Sequence, residues 1–233
     1  MTFITVLTYI YSVKIAVISD VHSNLPALEA VLDETGRVEV YNAGDLVGYN
    51  PFPGKTIALF REKRIKSVMG NHDYAVQHEL SGMNSIAHKA LVWTKNTINR
   101  EELSYLESLP IKLAEEEFCI FHGSPFNPLN EYVFPDIPEE ILINYLKAGK
   151  RDILILGHTH IPLVKEFEEG LILNPGSVGQ PRDGLKEASF AFLDIDRREA
   201  EIVRVDYPVE ETARAIRKAG LPEFLAERLF YGR

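Results

Sequence analysis

Lys14-Ile15-Ala16-Val17-Ile18-Ser19-Asp20-Val21-His22 decides the reading of this chain. An apolar run of strand length ends on a carboxylate and an imidazole. The pattern recurs four times. Gly44-Asp45 follows Val38 to Ala43, and Gly70-Asn71-His72-Asp73 follows Ile65 to Met69. His122-Gly123 follows Phe118 to Phe121, and Gly157-His158-Thr159-His160 follows Ile153 to Leu156. In an open sheet, ligands bind in the crevice beyond the carboxyl ends of the strands. Five strand ends bearing donor side chains can therefore meet in one cleft. The donors are carboxylate, imidazole and one amide oxygen, without thiolate, a set that suits borderline-hard divalent metals. Four protein ligands fill a tetrahedral structural site. Asp20, His22, Asp45, Asn71, His122, His158 and His160 exceed that, which argues for two metals sharing a carboxylate.

The stretches between these motifs read as helices. Asn24 caps a helix with Pro26 early in it, running to Thr35 and ending at Gly36. Gly54 to Lys63, Asn84 to Ile98, Glu101 to Leu106 and Pro138 to Leu146 follow. This βαβ rhythm predicts an α/β fold with right-handed crossovers and a largely parallel sheet. Later, Leu163 to Glu168, Leu171 to Leu173, Ser189 to Ile195 and Ile202 to Val205 read as short strands, with Glu169-Gly170 as a hairpin turn. They predict a second, antiparallel-rich sheet packed on the first. We expect one domain over residues 1–233, with an N-terminal extension at 1–13 and a helical tail at 208–233 interrupted at Gly220-Leu221-Pro222. The extension reads as an added edge strand, a partner contact or the leftover of an upstream start.

Composition bounds the function. The chain has 233 residues, 45% hydrophobic and 25% charged, ordinary for a globular protein. A formal net charge of −9 argues against duplex nucleic acid and anionic membranes as partners. Cys119 is the single cysteine and sits in an apolar run, so it reads as a buried small hydrophobe. With no intrachain disulfide, a reducing cytoplasm is the expected compartment. Thr2 to Val13 lacks a basic start and a cleavage site and is too short for a membrane span. The oligomeric state, including a homo-oligomer, stays open.

The order of motifs resembles the calcineurin-like metallophosphoesterase superfamily, whose pattern is D-x-H, G-D, G-N-H-D/E, H and G-H-x-H. The resemblance runs from Ile15 to Asp196. It implies a four-layer αββα sandwich with two mixed β-sheets and a dinuclear metal site at the strand ends. It assigns Asp20, His22, Asp45 and His160 to one metal and Asp45, Asn71, His122 and His158 to the other. It makes His72 a general acid, with Asp73 orienting the ring and raising its pKa. The implied ions are two divalent metals, manganese first, with Fe, Zn, Ni, Co or Mg as alternatives. His78 and His88 carry no motif and read as structural or surface residues.

Protein Ser/Thr phosphatases of this superfamily carry G-D-x-V-D-R-G at the second motif. This chain has Gly44-Asp45-Leu46-Val47-Gly48-Tyr49-Asn50, without the acidic residue and the phosphate-clamping arginine. That form resembles the small phosphodiesterases of bacteria and archaea and the asymmetric diadenosine tetraphosphate hydrolases. The expected function is hydrolysis of phosphodiester or phosphoanhydride bonds in small nucleotides. Tyr49 either meets substrate or packs. Arg182, in the Gly/Pro-rich loop Asn174 to Asp183, either contacts substrate phosphate or belongs to a structural turn. Ser124-Pro125 reads as loop architecture rather than a nucleophile. The alternatives are a protein or mononucleotide phosphatase, a nuclease, and a non-catalytic scaffold like the retromer subunit of this superfamily. A scaffold is expected to have lost His72, which is present here.

Overall fold

The computed structural model describes residues 13–78 and 83–233. The expectation for the N-terminal extension therefore falls almost entirely outside the described residues. Strand β1 (Lys14–Ile18) leads into helix α1 (Leu25–Thr35), then β2 (Glu39–Asn42), α2 (Pro53–Lys63) and β3 (Lys66–Ser67). Asn24 caps α1 by accepting from the Ala27 amide at 3.4 Å, and Gly36 ends it at φ +64°. Both boundaries are where the cap residues predict them. Helix α3 (Asn71–Gln77) starts inside the third motif, and no sequence signal marks it. Helices α4 (Ser85–Thr97) and α5 (Arg100–Glu107) follow, each capped by an asparagine, Asn84 and Asn99.

Strands β4 (Lys112–Ala114) and β5 (Phe118–Phe121) open the second sheet. Helix α6 (Glu139–Gly149), β6 (Ile153–Ile155), β7 (Leu163–Phe167) and β8 (Gly170–Asn174) complete it. The chain then returns through β9 (Ala188–Asp194) and β10 (Glu199–Val205) and closes with α7 (Val209–Lys218), α8 (Glu223–Glu227) and a 3₁₀ turn at Arg228–Phe230.

The two sheets run β10-β9-β1-β2-β3 and β4-β5-β6-β8-β7. Both are mixed. Strands β1, β2 and β3 are parallel, as are β5, β6 and β8, while β9, β10, β4 and β7 pair antiparallel. The later strands do not form a sheet of their own. Strands β9 and β10 extend the first sheet, and β7 and β8 extend the one begun by β4, β5 and β6. The hairpin turn also shifts by one residue. Phe167 pairs with Gly170, so Glu168-Glu169 make the turn. Gly170 sits at φ +147°, where a Cβ would lie 2.0 Å from the Asp152 carbonyl oxygen; a close backbone approach requires the glycine.

The layers follow from strand alternation. Ile15 and Val17 of β1 face Phe118, Ile153 and Leu171 in a core between the sheets. Ala16 and Ile18 face the other way, onto Leu28, Ile57 and Ile216 of the helices. On the far side of the second sheet, Cys119, Leu154 and Ile172 pack on Leu142 and Leu146 of α6. Cys119 is thus the buried hydrophobe its neighbours predict. The order helix, sheet, sheet, helix buries both faces of β5, β6 and β8 and all but the first residue of β1, which is why those strands read as apolar runs. Leu171 is fully buried between the sheets. Leu171→Ala should cost about 2–5 kcal/mol through lost burial and a residual cavity. A urea midpoint lowered at unchanged slope checks this, with exposed Ile141→Ala as a control that barely moves.

Candidate active site

The carboxyl ends of the parallel strands in both sheets open on the same edge. Asp20, Asp45 and Asn71 arrive after β1, β2 and β3; His122 after β5; His158 and His160 after β6. The loops that carry them are tightly bent. Asp20, His22, Asp45, Tyr49, His158 and His160 all have φ between +47° and +69°. A left-handed backbone is uncommon outside glycine and concentrates at functional sites. Gly70 explains one tight approach: a Cβ there would lie 2.0 Å from Asp45 Oδ1. The loops are also laced together by backbone hydrogen bonds, Asp20 to Gly44 at 3.0 Å, His22 to Asp45 at 2.9 Å and Gly157 to His122 at 2.9 Å.

Three imidazoles are held in one tautomer by main-chain carbonyls. Nδ1 of His22 faces Val47 O at 3.1 Å, that of His122 faces Ala43 O at 2.8 Å, and that of His160 faces Gln180 O at 2.6 Å. A nitrogen facing a carbonyl must carry a proton, so in its neutral form each ring presents the Nε2 lone pair inward. Those inward atoms meet other acceptors. His22 Nε2 and His160 Nε2 are 3.1 Å apart, and His122 Nε2 is 3.1 Å from Asn71 Oδ1. Asp20 Oδ1 lies 3.3 Å from His160 Nε2 and 3.7 Å from His22 Nε2. Asp45 Oδ2 lies 3.3 Å from His122 Nε2 and 3.6 Å from His22 Nε2. Asp20 Oδ1 and His158 Nε2 are buried without a hydrogen-bond partner.

Lone pairs converging without protons between them are repulsive unless a cation lies among them. This donor set therefore fits divalent metal. One donor atom each of Asp20, His22 and His160 falls within 4.8 Å, as does one each of Asp45, His122 and His158. Burial supports the same conclusion. It drives the pKa of His22 and His160 well down and that of His158 to about 3, so these rings are neutral, the form that ligates metal. Burial pushes Asp20 up to about 7. For His122, burial is outweighed by the Asp45 carboxylate, which lifts it to about 9. For Asp45, burial is outweighed by His122 and His72, and its pKa falls.

His72 lines the same cleft but is placed differently. Its ring sits 4.7 Å from His22 and 4.5 Å from Tyr49, and Nδ1 is buried with no partner. Asp73 does not orient it. The Asp73 oxygens accept from the amides of Leu46 at 3.2 Å, Val47 at 3.0 Å and Gly70 at 3.0 Å. Its negative charge is spent clamping the second motif to the third. Nor is the His72 pKa raised: burial takes it down to about 4 against the opposing pull of Asp45. Tyr49 packs, 5% exposed, edge-on to His22 at 4.7 Å. Arg182 nevertheless reaches it, donating to the Tyr49 hydroxyl at 3.4 Å and to Gln180 Oε1 at 3.1 Å. Ser124 is loop architecture: its hydroxyl donates to Glu131 and accepts from the Phe126 and Asn127 amides, both at 3.1 Å.

A sequence profile of the calcineurin-like phosphoesterase superfamily domain matches residues 13–198. The chain belongs to that superfamily. Its phosphoesterase character places it among the hydrolases. An uncharacterized protein of Methanocaldococcus jannaschii is 40% identical over 244 residues, covering 94% of this chain and 98% of its own. Phosphodiesterase YfcE of Escherichia coli is 26% identical, covering 78% of this chain and 88% of its own. The crystal structure of a metallophosphoesterase from Sphaerobacter thermophilus superposes with a TM-score of 0.85 at 38% identity, covering 94% of this chain and all of that one. Among the described residues, no helix is long and apolar enough to cross a membrane.

The walls of this phosphoesterase cleft add residues that sequence reasoning missed. Tyr132 stacks on His158 with ring centroids 3.8 Å apart. Asn71, His72, His158, Tyr132, Asn130 and Tyr74 border a cavity of about 470 Å³ in front of the donor cluster. Tyr132 comes from an irregular loop after the fourth motif, where no periodicity points to it.

Proposed function

We propose that this phosphoesterase hydrolyses phosphodiester or phosphoanhydride bonds of small nucleotides with two divalent metals, manganese being the first candidate. Asp20, His22, Asp45 and His160 would hold one ion; Asp45, Asn71, His122 and His158 the other. Convergence of the two donor groups on the Asp45 side chain is the observation that carries the reading. Such a pair lowers the pKa of water and neutralises phosphoryl charge. The chain's own groups do the rest. Asp73 clamps the loop that carries Asp45, and Asn71 enters from the first turn of α3. His72 donates a proton to the leaving-group oxygen, and an anionic substrate beside the ring favours its protonated form. Tyr132 covers His158 and narrows the entrance.

The size of the cleft favours a small substrate. A cavity of about 470 Å³ is the volume of a ligand pocket rather than of a protein docking surface. The second motif, with Gly48-Tyr49-Asn50, lacks the arginine that clamps a dianionic monoester in the protein phosphatases. Comparing kcat/KM under one metal for a phosphopeptide, a mononucleotide, a bis-nitrophenyl diester and a dinucleoside tetraphosphate tests this. The diester and the tetraphosphate should lead. A phosphopeptide ahead by tenfold, about 1.4 kcal/mol of transition-state preference, would overturn the reading.

A further inference from the structure

A second concavity of about 370 Å³ continues from the first, sharing Tyr49, Asn84 and Tyr132 with it. Two guanidiniums line it: Arg182 from the loop after β8, and Arg228 from the 3₁₀ turn near the C-terminus. Neither forms an ion pair with an Asp or Glu side chain among the described residues. Arg182 touches Tyr49 and Gln180, and its Nε is buried without a partner. Arg228 donates to the main-chain oxygen of Arg233 and lies over the Phe224 ring at 5.1 Å. Burial and the Arg182 charge push the Arg228 pKa down to about 10. Ser85 and Ile86 in the first turn of α4 border the same space; Asn84 already accepts from the Ile86 and Ala87 amides, so this 13-residue helix contributes its dipole rather than free amides. Two half-buried guanidiniums that repel each other, neither paired with an Asp or Glu side chain among the described residues, keep their remaining N–H donors available to an anion.

We propose that Arg182, Arg228 and the first turn of α4 form a second anion subsite. It takes a phosphate of a nucleoside polyphosphate distal to the phosphorus being cleaved. The proposal rests on the phosphoesterase reading of the adjoining cleft and specifies which substrates that cleft prefers. Phe224 is 47% exposed and Tyr132 46% exposed beside the guanidiniums, so a nucleobase attached to the distal phosphate has aromatic faces to meet. A simple diester with two aryl groups reaches only the first cavity. A phosphate chain spans both.

The test pairs turnover with binding. Calorimetry with inorganic tripolyphosphate should show binding to the wild type that weakens about tenfold or more in R228Q and in R182Q, each losing a charge-assisted contact. R228K keeps the charge and should recover most of that loss. In turnover, R228Q should lower the ratio of kcat/KM for a dinucleoside tetraphosphate to that for bis-nitrophenyl phosphate by about tenfold. An unchanged ratio together with unchanged tripolyphosphate affinity would overturn the subsite. Wild-type protein that binds tripolyphosphate through Arg228 yet cleaves neither substrate would instead sink the phosphoesterase reading and leave the subsite standing. Thermal melts of each variant guard against unfolding. If R228Q does not fold, R182Q and R228K decide, and wild-type affinity in both would overturn the proposal.

Discussion

Asp45→Ala should weaken both donor groups at once and lower kcat/KM on the order of 10³-fold. The magnitude follows from removing several kcal/mol of transition-state stabilisation at about 1.4 kcal/mol per tenfold. The geometry explains why one side chain carries so much. Asp45 Oδ2 lies 3.6 Å from His22 Nε2 in one group and 3.3 Å from His122 Nε2 in the other. Its Oδ1 accepts the His72 amide at 2.8 Å, so it also sets the start of α3. Truncation leaves His22 with Asp20 and His160, and His122 with Asn71 and His158, without the carboxylate common to both groups. Asp45→Asn keeps the shape and the hydrogen bond from His72 but loses the charge, and separates the two contributions. Elemental analysis after reconstitution reads the result directly. Two ions per wild-type chain and one or none in Asp45→Ala are expected. Unchanged content in the variant, or a single ion in the wild type, would refute the shared-carboxylate site.

Much of this site could be read from the sequence because each donor follows directly on a strand. In parallel strands buried on both faces, the apolar run stops where the chain leaves the sheet, and the next residues are those at the sheet's edge. Asp20, Asp45, Asn71, His122, His158 and His160 are all placed that way. What the sequence hides depends on contacts distant along the chain. Asp73 follows His72 directly, which suggests a pair; its actual partners are the amides of Leu46 and Val47, 27 and 26 residues earlier. Alternation in Ser189 to Ile195 shows a strand but not its neighbour, and β9 pairs with β1 rather than with the strands just before it. Tyr132 and Arg228 reach the cleft from an irregular loop and from a tail beyond the last motif. No local spacing could place either beside Tyr49 or His158.

His72→Ala should keep its metal and lose turnover selectively, by about 10²–10⁴-fold on an ester with a poor leaving group and far less on a nitrophenyl ester. An alkoxide must be protonated as it departs, whereas nitrophenolate leaves without help, so the gap between the two substrates isolates proton donation from every other effect of the mutation. The structure permits the separation because the residue's other contact is made by its backbone: the amide that donates to Asp45 survives truncation of the ring. The competing role is that of a metal ligand. One donor atom of His72 lies within 4.8 Å of donors of His22 and Asp45, and its Nδ1 has no hydrogen-bond partner to turn it away. The two roles differ in what accompanies the rate loss. A proton donor leaves metal content intact and the penalty graded by leaving-group pKa. A ligand takes metal with it and slows both esters equally. Equal losses on alkyl and nitrophenyl esters would therefore remove His72 from the proton-transfer step, and lost metal would move it into the coordination sphere.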